Sequence, residues 1–556
     1  MEEKKIRLLD RQFSRFLAGR SALSGGELEQ FQDLVCRLSM GLAAGDSCLP
    51  LTGFEEGLVL RSELAGMKDK PLCVFNKSVY LQRFFAYEKT LAEQLGILAT
   101  GGAQLAKDDS LLDSLFGRER ANETDWQRLA AERALEQSLL IISGGPGTGK
   151  TTTVVKILAL LQSVCKYNLR IALAAPTGKA AMRLQESIAA SVHHLALSES
   201  IIKSIPDQAS TLHRLLGVKY HSPFFRHNAE NPLLYDVVVV DEASMVDLAL
   251  MSKLVDALRP GSRLILLGDK NQLASVESGT VLADMTSALP ENTVELQKSY
   301  RFDGGIQKFA RAINAGDSMH AWEFMINNDP DNISLLQEDV ADYGGEMYCG
   351  YMEAVRKAET LADYKKLFSA LQSFKILCAL RKGQTGVSGI NDRVERYLSR
   401  KGYDCFSFPW YPGRPVMISR NDYVLDLYNG DMGICLPDPE NSSVMKIWFE
   451  RADGSLQGFL PGRISDCKTV YALTIHKSQG TEIGEVLVVL PEQDSELMSR
   501  ELLYTAVTRA KHCVKMNCSR SAFDRAVAGK IERHSGLSVL LSRRKRDGLP
   551  KSFLQL

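Results

Sequence analysis

The sequence predicts an α/β fold with two domains built on parallel sheets, a helical amino-terminal domain and a small β-barrel insertion in the second sheet domain. Short apolar, β-branched runs alternate with helical patterns between residues 138 and 269, and the alternation returns after residue 374. An interval rich in proline and glycine, at about 405–465, divides the second block. Continuous apolar strands separated by helices are typical of a parallel sheet covered on both faces.

Length and composition bound this fold. At about 150 residues per domain, the 556 residues favour three to four domains. The chain is 45% hydrophobic and 24% charged, which excludes a disordered tail, a collagen-like repeat and a simple coiled coil. Lys plus Arg and Asp plus Glu both total 67, so the chain does not hold nucleic acid by bulk charge. Any polyanion must therefore bind in a local groove.

The cysteines and the amino terminus indicate the compartment. The 11 cysteines are scattered, and the close pair Cys513 and Cys518 lacks a second pair at metal-ligand spacing, so we expect reduced packing thiols. Residues 1–13 mix both charges without the apolar core of a signal peptide. No apolar run approaches the roughly 18 residues of a membrane span. We expect a cytoplasmic protein without membrane contact.

Residues 1–115 are expected to form the helical domain, because apolar residues recur at helical spacing in 8–19 and 28–43. This region carries no catalytic motif. The polar stretch 107–123 is interpreted as a linker into the first sheet domain, at 116–345, and the second sheet domain is placed at 346–556. The predicted strands are 138–144, 170–178, 235–242 and 262–269 in the first domain, and 374–380, 468–476 and 485–490 in the second. The insertion is interpreted as an antiparallel barrel.

A phosphate-binding loop follows the first predicted strand. Residues 144–151 fit G-x-x-x-x-G-K-[ST], and a helical pattern follows at once, which is the strand–loop–helix context this motif requires. Glycines let backbone amides turn towards phosphate oxygens, the helix amino terminus adds a favourable dipole, and Lys150 adds a charge. Thr151 is expected to hold Mg²⁺. The predicted nucleotide contacts here are Gly144, Gly145, Pro146, Gly147, Thr148, Gly149, Lys150, Thr151 and Thr152.

Two carboxylates and an amide follow the next strands. A run of four valines leads into Asp241 and Glu242. A carboxylate at the end of a buried strand can hold Mg²⁺, which is the role expected of Asp241, and the adjacent Glu242 can orient or deprotonate the attacking water. Gln272 follows the strand 262–269, where its amide can sense the γ-phosphate. These residues predict nucleotide hydrolysis.

Two arginines complete the expected catalytic set. Arg301 lies in the segment 299–302, and Arg509 lies in 504–510. An arginine supplied across a domain interface stabilises transition-state charge only when the cleft closes. The spacing of the two arginines along the chain therefore indicates hydrolysis coupled to movement.

The ordered motifs resemble those of superfamily 1 DNA helicases, and among them the RecD family of bacterial RecBCD enzymes. The segments that carry the resemblance are GGPGTGKTT, APTGKAAMRL, TLHRLLG, VVDEASMVD, LLGDKNQLASVESGTVL, SYRF, TIHKSQGTE and YTAVTRA, within residues 120–515. The resemblance implies two RecA-like domains with an SH3-like insertion, ATP and Mg²⁺ as cofactors, Gln127 beside the adenine and Glu482 on the ribose. It also implies 5′ to 3′ movement on DNA in double-strand break repair, with RecB-like and RecC-like partner subunits, of which a partner supplies the nuclease.

The same resemblance implies a track for single-stranded DNA across both RecA-like domains. Donors and cations in the matching loops are expected to hold phosphates while bases stack on side chains. The expected DNA contacts are Thr177, Lys179, Thr211, His213, His476 and Lys477. By the family's arrangement, residues 1–115 are expected to bind a partner subunit.

Other functions stay open at this point. A free-standing RecD-like helicase, acting on DNA or RNA, would carry the same ATPase motifs, because these do not report the 2′-hydroxyl. An assembly subunit that uses ATP as a switch is the third alternative, although a switch needs no strand-tracking contacts. The basic residues 543–546 are interpreted as a solvated tail, with contact to DNA or to a partner as the alternative.

Overall fold

The computed structural model describes residues 6–101, 104–118, 124–165, 168–192, 198–219, 221–298, 304–327, 333–422, 424–451, 454–464, 466–493, 495 and 497–547, with side chains to residue 543. None of the helices in these ranges is long and apolar enough to cross a membrane.

The amino-terminal region combines helices with a small antiparallel sheet in the order β1-β3-β2. Its own core contains Phe31, Leu34, Leu58 and Leu72. Its elements are α1 (Leu8–Ala18), α2 (Gly25–Ala44), β1 (Leu49–Pro50), α3 (Gly53–Arg61), β2 (Leu72–Phe75), β3 (Ser78–Leu81), α4 (Gln82–Thr100) and α5 (Asp109–Phe116).

The expected helical domain over 1–115 is corrected in two respects. The sheet was not predicted, because its strands are too short to show a period. Leu91 and Leu95 of α4 are buried in the core of the first sheet domain, as is Leu112 of α5 on the opposite face. The last two helices therefore belong to the layers that cover that sheet, and a helical repeat alone does not say which neighbour it covers.

The first sheet domain has parallel strands in the order β6-β5-β7-β8-β4-β9. Alternate residues enter opposite cores: Ile141 and Val238 face one, Ile142 and Val239 the other. Such two-sided burial explains the continuous apolar runs. The elements are α6 (Trp126–Glu136), β4 (Leu139–Gly144), α7 (Lys150–Val164), β5 (Ile171–Ala175), α8 (Gly178–Val192), α9 (Glu199–Ser204), β6 (Ala209–Thr211), α10 (Leu212–Leu216), β7 (Val237–Val240), α11 (Leu248–Asp256), β8 (Arg263–Gly268), α12 (Val281–Ala288) and β9 (Thr293–Leu296).

The second sheet domain is also parallel, in the order β10-β19-β18-β11-β17, so the predicted α/β class with parallel sheets is confirmed. The elements of the remaining chain are α13 (Gly305–Ala315), α14 (Ser318–Ile326), β10 (Ile333–Leu335), α15 (Val340–Lys357), α16 (Leu361–Ser373), β11 (Phe374–Cys378), α17 (Val387–Arg400), β12 (Pro415–Ile418), β13 (Met432–Asp438), β14 (Asn441–Glu450), β15 (Leu456–Phe459), β16 (Cys467–Thr469), β17 (Ala472–Thr474), β18 (Ile483–Val489), α18 (Arg500–Val507), β19 (Ala510–Asn517), α19 (Arg520–Ala528) and α20 (Leu537–Asp547).

Both boundaries predicted for the second sheet domain, residues 346 and 556, differ from those in the structure. Strand β10 pairs with β19, and Phe309 of α13 stacks on Phe523 at a ring distance of 6.3 Å, so this domain begins near residue 304 rather than 346. At the other end, Leu537 and Leu541 of α20 are buried in the core of the first domain. The chain thus returns to the first domain, a reversal that leaves no periodic signal in sequence.

The insertion contains an antiparallel sheet in the order β15-β14-β13-β12-β16, within 415–469. Its core holds Val416, Ile447 and Phe449. The single strand expected at 468–476 is corrected: β16 closes the edge of the antiparallel sheet, and β17, three residues later, joins the parallel sheet. One apolar run therefore serves two sheets.

The strand register brings the functional loops together. Ser143 pairs with Gly268, Val240 with Leu266, and Ala174 with Val240. The carboxyl ends of β4, β5, β7 and β8 therefore lie at one edge of the first sheet, and parallel sheets place ligand sites at this edge.

Candidate active site

A glycine-rich loop joins β4 to α7. Gly147 and Gly149 have φ of 77° and 81°, the left-handed region that glycine adopts without steric cost. A side chain at Gly144 would lie 2.7 Å from Thr148 Oγ1. Lys150, the first residue of α7, donates from Nζ to the carbonyl oxygens of Gly144 at 2.7 Å and Gly145 at 3.0 Å. The loop is therefore narrow, and its lysine is held at the helix amino terminus.

The loop opens onto a cavity of about 600 Å³ between the two sheet domains. Residues of both domains line it: Pro146, Gly147, Gly149, Lys150, Thr151, Thr152, Ala180, Arg183, Ser187, Ala190, Ser191, Asp241, Glu242, Gln272, Gly480, Glu482, Thr508 and Arg509. Most of the predicted nucleotide and catalytic residues thus share one cavity. Not among these lining residues are Gln127, on α6, and the predicted contacts Gly144, Gly145 and Thr148, while Arg301 lies outside the described residues.

The acidic pair lies where β7 ends. The amide of Asp241 donates to the carbonyl oxygen of Ala174 at 2.9 Å, and its Oδ1 accepts from the amide of Glu242 at 2.8 Å. Burial, together with the neighbouring Glu242, raises the pKa of Asp241 to about 6, while Lys150 opposes this shift. Glu242 has a φ of 51°, a strained conformation for a residue with a side chain. Such strain is typical of functional sites.

A second buried acid follows β8. Asp269 is 1% exposed, and its Oδ2 accepts from the hydroxyl of Tyr504 at 2.9 Å and from Nε2 of Gln272 at 3.2 Å. Burial raises the pKa of Asp269 against the effect of Lys150. Within the described part of the chain, Oε1 of Gln272 is buried without a hydrogen-bond partner. Sequence reasoning found Gln272 but missed Asp269 and Tyr504, although Asp269 is the last residue of a predicted strand and the first after β8.

Arg509 enters the cavity from the second domain. Its side chain is only 3% exposed; Nε donates to the carbonyl oxygen of Thr505 at 3.2 Å and Nη1 to that of Thr481 at 3.4 Å. Burial lowers the pKa of Arg509, and the charge of Glu242 opposes that effect. The structure therefore brings a cation of one domain to the carboxylates of the other.

The donors in this cavity fit a magnesium nucleotide. The Thr151 hydroxyl and the Asp241 carboxylate are hard oxygen donors that suit Mg²⁺, while Lys150 and Arg509 are cations that suit phosphate. Glu482 also lines this cavity. Its Oε1 lies 2.5 Å from Nη2 of Arg183, and its Oε2 lies 3.1 Å from Nζ of Lys511. The described ranges contain no cluster of three or more His, Cys, Asp or Glu side chains that could hold a metal ion.

The predicted DNA contacts lie at the starts of helices α8 and α10 and just after strand β17. Oγ1 of Thr177 accepts from the amide of Ala180 at 3.2 Å, and Oγ1 of Thr211 accepts from the amide of Arg214 at 3.2 Å, so both threonines stabilise helix starts. The His213 ring lies edge-on to that of Phe225, 5.6 Å away.

The cationic members of the set come together from both domains. Lys179 and Lys477 line a second cavity of about 330 Å³. Burial and the neighbouring Arg183 lower the pKa of Lys179 to about 8. Burial and nearby cations lower the pKa of Lys477 and of His476, which precedes it. Among the described residues, five cations and three glutamates line this cavity, so its charge is positive on balance, which favours an anionic partner.

Comparison with known proteins gives the class. A family model described as an AAA domain matches residues 127–278, and one described as a UvrD-like helicase C-terminal domain matches residues 469–515. The first covers the phosphate loop and the acidic pair, and the second contains Arg509. The chain is therefore a P-loop helicase of superfamily 1.

Relatives define the family within this class. RecBCD enzyme subunit RecD of Mycolicibacterium smegmatis is 40% identical over 84% of this chain and 82% of its own length, and that of Haemophilus influenzae is 35% identical over 76% and 73%. The ATP-dependent RecD2 DNA helicase of Deinococcus radiodurans is 30% identical over 90% of this chain and 67% of its own. The chain belongs to the RecD family, as its motifs predicted.

A solved structure of Bacteroides Pif1 bound to single-stranded DNA is also similar, with 18% identity and a TM-score of 0.40 over 76% of this chain and 97% of that chain. The likeness is too loose to assign residues.

Lys150→Gln should lower ATP turnover by at least about two orders of magnitude, or about 3 kcal/mol in barrier, because the cavity loses its phosphate-facing cation. Phosphate release under saturating ATP measures this. Lys203→Gln, on α9 with a side chain 72% exposed, is the matched control and should turn over ATP like the wild type. Wild-type turnover in a folded Lys150→Gln protein would remove the assignment of this loop.

Glu242→Gln should abolish turnover while preserving ATP affinity, because Asp241, Thr151 and Lys150 remain to bind the nucleotide. Binding of a fluorescent ATP analogue and phosphate release separate the two effects. The control is Glu199→Gln on the exposed helix α9, where the side chain is 81% exposed. A parallel loss of binding and turnover in Glu242→Gln would show that the two carboxylates have been assigned in the wrong order.

Proposed function

We propose that this chain is an ATP-driven DNA helicase that moves 5′ to 3′ on single-stranded DNA, as the RecD-type subunit of a RecBCD-like complex that processes double-strand breaks. The observation that carries the proposal is the cavity between the two sheet domains, where Lys150 and Glu242 of the first meet Arg509 of the second. A nucleotide bound there touches both domains, so its hydrolysis can move one against the other.

The proposed chemistry assigns one task to each group. Lys150 and the amides of the loop bind the outer phosphates, and Glu242 orients or deprotonates the attacking water. Magnesium, held by Thr151 and Asp241 when bound, supplies neutralisation of phosphate charge. Gln272 offers its unpaired Oε1 to the site as a sensor of phosphate loss. Arg509 stabilises the charge that develops in the transition state.

Glu482 is proposed to accept a hydrogen bond from the ribose, which its position on the cavity wall supports. Gln127 is proposed on the adenine side by family likeness. Arg301, which lies outside the described residues, is proposed as a second arginine for the phosphates by its match to the family's motif.

Single-stranded DNA is proposed to lie over Thr177, Lys179, Thr211 and His213 of the first domain and over His476 and Lys477 of the second. The second cavity, which Lys179 and Lys477 line from opposite domains, supports a strand that spans both. Because DNA and nucleotide would each contact both domains, binding of one favours the arrangement that binds the other.

The proposed organisation follows the corrected boundaries. Two RecA-like domains occupy about 104–298 and 304–528, and we take the antiparallel sheet at 415–469 as an SH3-like barrel. RecB-like and RecC-like partners are proposed to contact the amino-terminal domain, whose helix α1 exposes Leu8, Leu9 and Phe16 at 74%, 67% and 53%. A free-standing helicase like RecD2 of Deinococcus radiodurans is the alternative, to which this chain is similar over 90% of its length.

Arg509→Ala should abolish the stimulation of ATP hydrolysis by DNA while sparing nucleotide binding, because the phosphate loop belongs to the other domain. Titration with single-stranded oligonucleotide at saturating ATP measures the stimulation. The control is Arg400→Ala, a surface arginine of the second domain with a side chain 69% exposed. Normal stimulation in Arg509→Ala would exclude this arginine as the group that acts on closure.

Strand displacement tests the function as a whole. The chain should unwind a duplex with a 5′ single-stranded tail and leave one with a 3′ tail intact, because the proposed polarity requires loading on the 5′ strand. Each substrate is tested with the chain alone and with RecB-like and RecC-like subunits, and Lys150→Gln is the inactive control. Equal unwinding of both substrates would contradict the polarity, and full activity without partners would favour the free-standing alternative.

A further inference from the structure

Arg183 lies on α8 and crosses from the first sheet domain to the second. Its Nη1 donates to the carbonyl oxygen of Gly480 at 2.7 Å, and its Nη2 lies 2.5 Å from Oε1 of Glu482. The two side chains of the ion pair are 30% and 20% exposed, so the pair is inside the cleft. Two-pronged contacts of a guanidinium fix orientation as well as distance, which a single ammonium cannot do.

Arg183 also stands between the two cavities. It lines the cavity at the phosphate loop together with Lys150 and Glu242, and it lines the second cavity together with Lys179 and Lys477. No motif role was assigned to it from the sequence. Its position joins the surface proposed for DNA to the surface proposed for ATP.

The loop at 478–482 is the partner that Arg183 holds. Gly480 has a φ of 68° and packs against α8, where a side chain on it would meet Ala180 at 3.5 Å. The same loop follows Lys477 directly, and its Thr481 carbonyl oxygen accepts from Nη1 of Arg509. The loop therefore connects a proposed DNA contact, at one end, to the catalytic arginine.

Helix α8, which carries Arg183, also connects it to the proposed DNA contacts. Helix α8 begins at Gly178, between the proposed DNA contacts Thr177 and Lys179, and Arg183 follows Lys179 by one helical turn. A shift of the start of α8 is thus transmitted along a rigid helix to the guanidinium and from there to the loop at 478–482.

We propose that Arg183 is a positioning residue that couples DNA occupancy to ATP hydrolysis by holding the loop at 478–482 against α8. With DNA across both domains, the hold fixes Glu482 and the carbonyl group of Thr481, and with them the guanidinium of Arg509. This inference rests on the proposed function. Through Arg183, DNA bound at the second cavity changes the rate of ATP hydrolysis at the cavity of the phosphate loop.

The test compares the ratio of ATP turnover with saturating single-stranded oligonucleotide to turnover without it. Arg183→Ala should lower this ratio about tenfold, within the usual range of coupling between sites. Saturating oligonucleotide removes any contribution from a change in DNA affinity. A ratio is also insensitive to a uniform loss of active protein, which a merely structural defect would cause.

Lys511→Ala is the matched control. Lys511 pairs with the other oxygen of the same carboxylate, at 3.1 Å, and like Arg183 it lines the second cavity, but it lies on β19 in the same domain as Glu482 and does not cross the cleft. The ratio of Lys511→Ala should stay at the wild-type value. An equal fall in both variants would mean that charge at Glu482, rather than the link between domains, matters, and this would overturn the inference.

Arg183→Lys provides a second variant if the alanine protein does not fold. Its ammonium keeps the charge but cannot reach both acceptors as a fork, so its ratio should lie below that of the wild type. A wild-type ratio in Arg183→Lys and in folded Arg183→Ala would refute the coupling role. A wild-type protein without any response to DNA would instead contradict the proposed function, so the two failures are distinguishable.

Discussion

The candidate site depends on opposite charges that are withdrawn from water at the interface between the two sheet domains. Asp241, which is half-buried, and Asp269, which is buried, lie at strand ends of the first domain, where desolvation raises the pKa of each, and Arg509 is buried opposite them, where desolvation lowers its pKa. A charge withdrawn from water is costly unless another charge or a hydrogen bond compensates. Phosphate placed beside Lys150 and Arg509 would offset part of this cost, and the size of the offset depends on how far the domains close.

The parallel strands of the first sheet place the charged groups of that domain at one edge of the sheet. Because β4, β7 and β8 run in the same direction and in register, their carboxyl ends present the phosphate loop, the acidic pair and Asp269 side by side. Tyr504 then reaches from the second domain to Asp269, and the amide of Leu273 donates to Oγ1 of Thr505 at 2.9 Å. The two domains are thus joined by hydrogen bonds that directly flank the catalytic groups. A rotation of one domain against the other would change these distances.

Local patterns predicted much of this arrangement and missed what depends on packing between distant segments. Lys150 was predictable because the phosphate-binding loop has a fixed residue spacing, and Asp241 because it directly follows a buried apolar strand. Asp269 and Tyr504 lie 235 residues apart and meet only through the fold. Strand β10 was missed because three residues show no period, and α20 was assigned to the wrong domain because its apolar face fits any apolar surface.

The return of α20 to the first domain constrains how the cleft can open. After α19, Arg533 donates to the carbonyl oxygens of Glu277 and Gly279, and the amide of Gly536 and the hydroxyls of Ser47 and Ser535 donate to the buried Glu88. The chain therefore passes between the sheet domains twice, before residue 304 and after residue 528. The crossing after residue 528 is anchored to the first domain by these bonds, and two crossings oppose separation of the domains more than rotation about the line that joins them. Rotation of this kind would change the distance between Arg509 and the phosphate loop while the strands of both sheets stay intact, which is the motion that a nucleotide-driven motor needs.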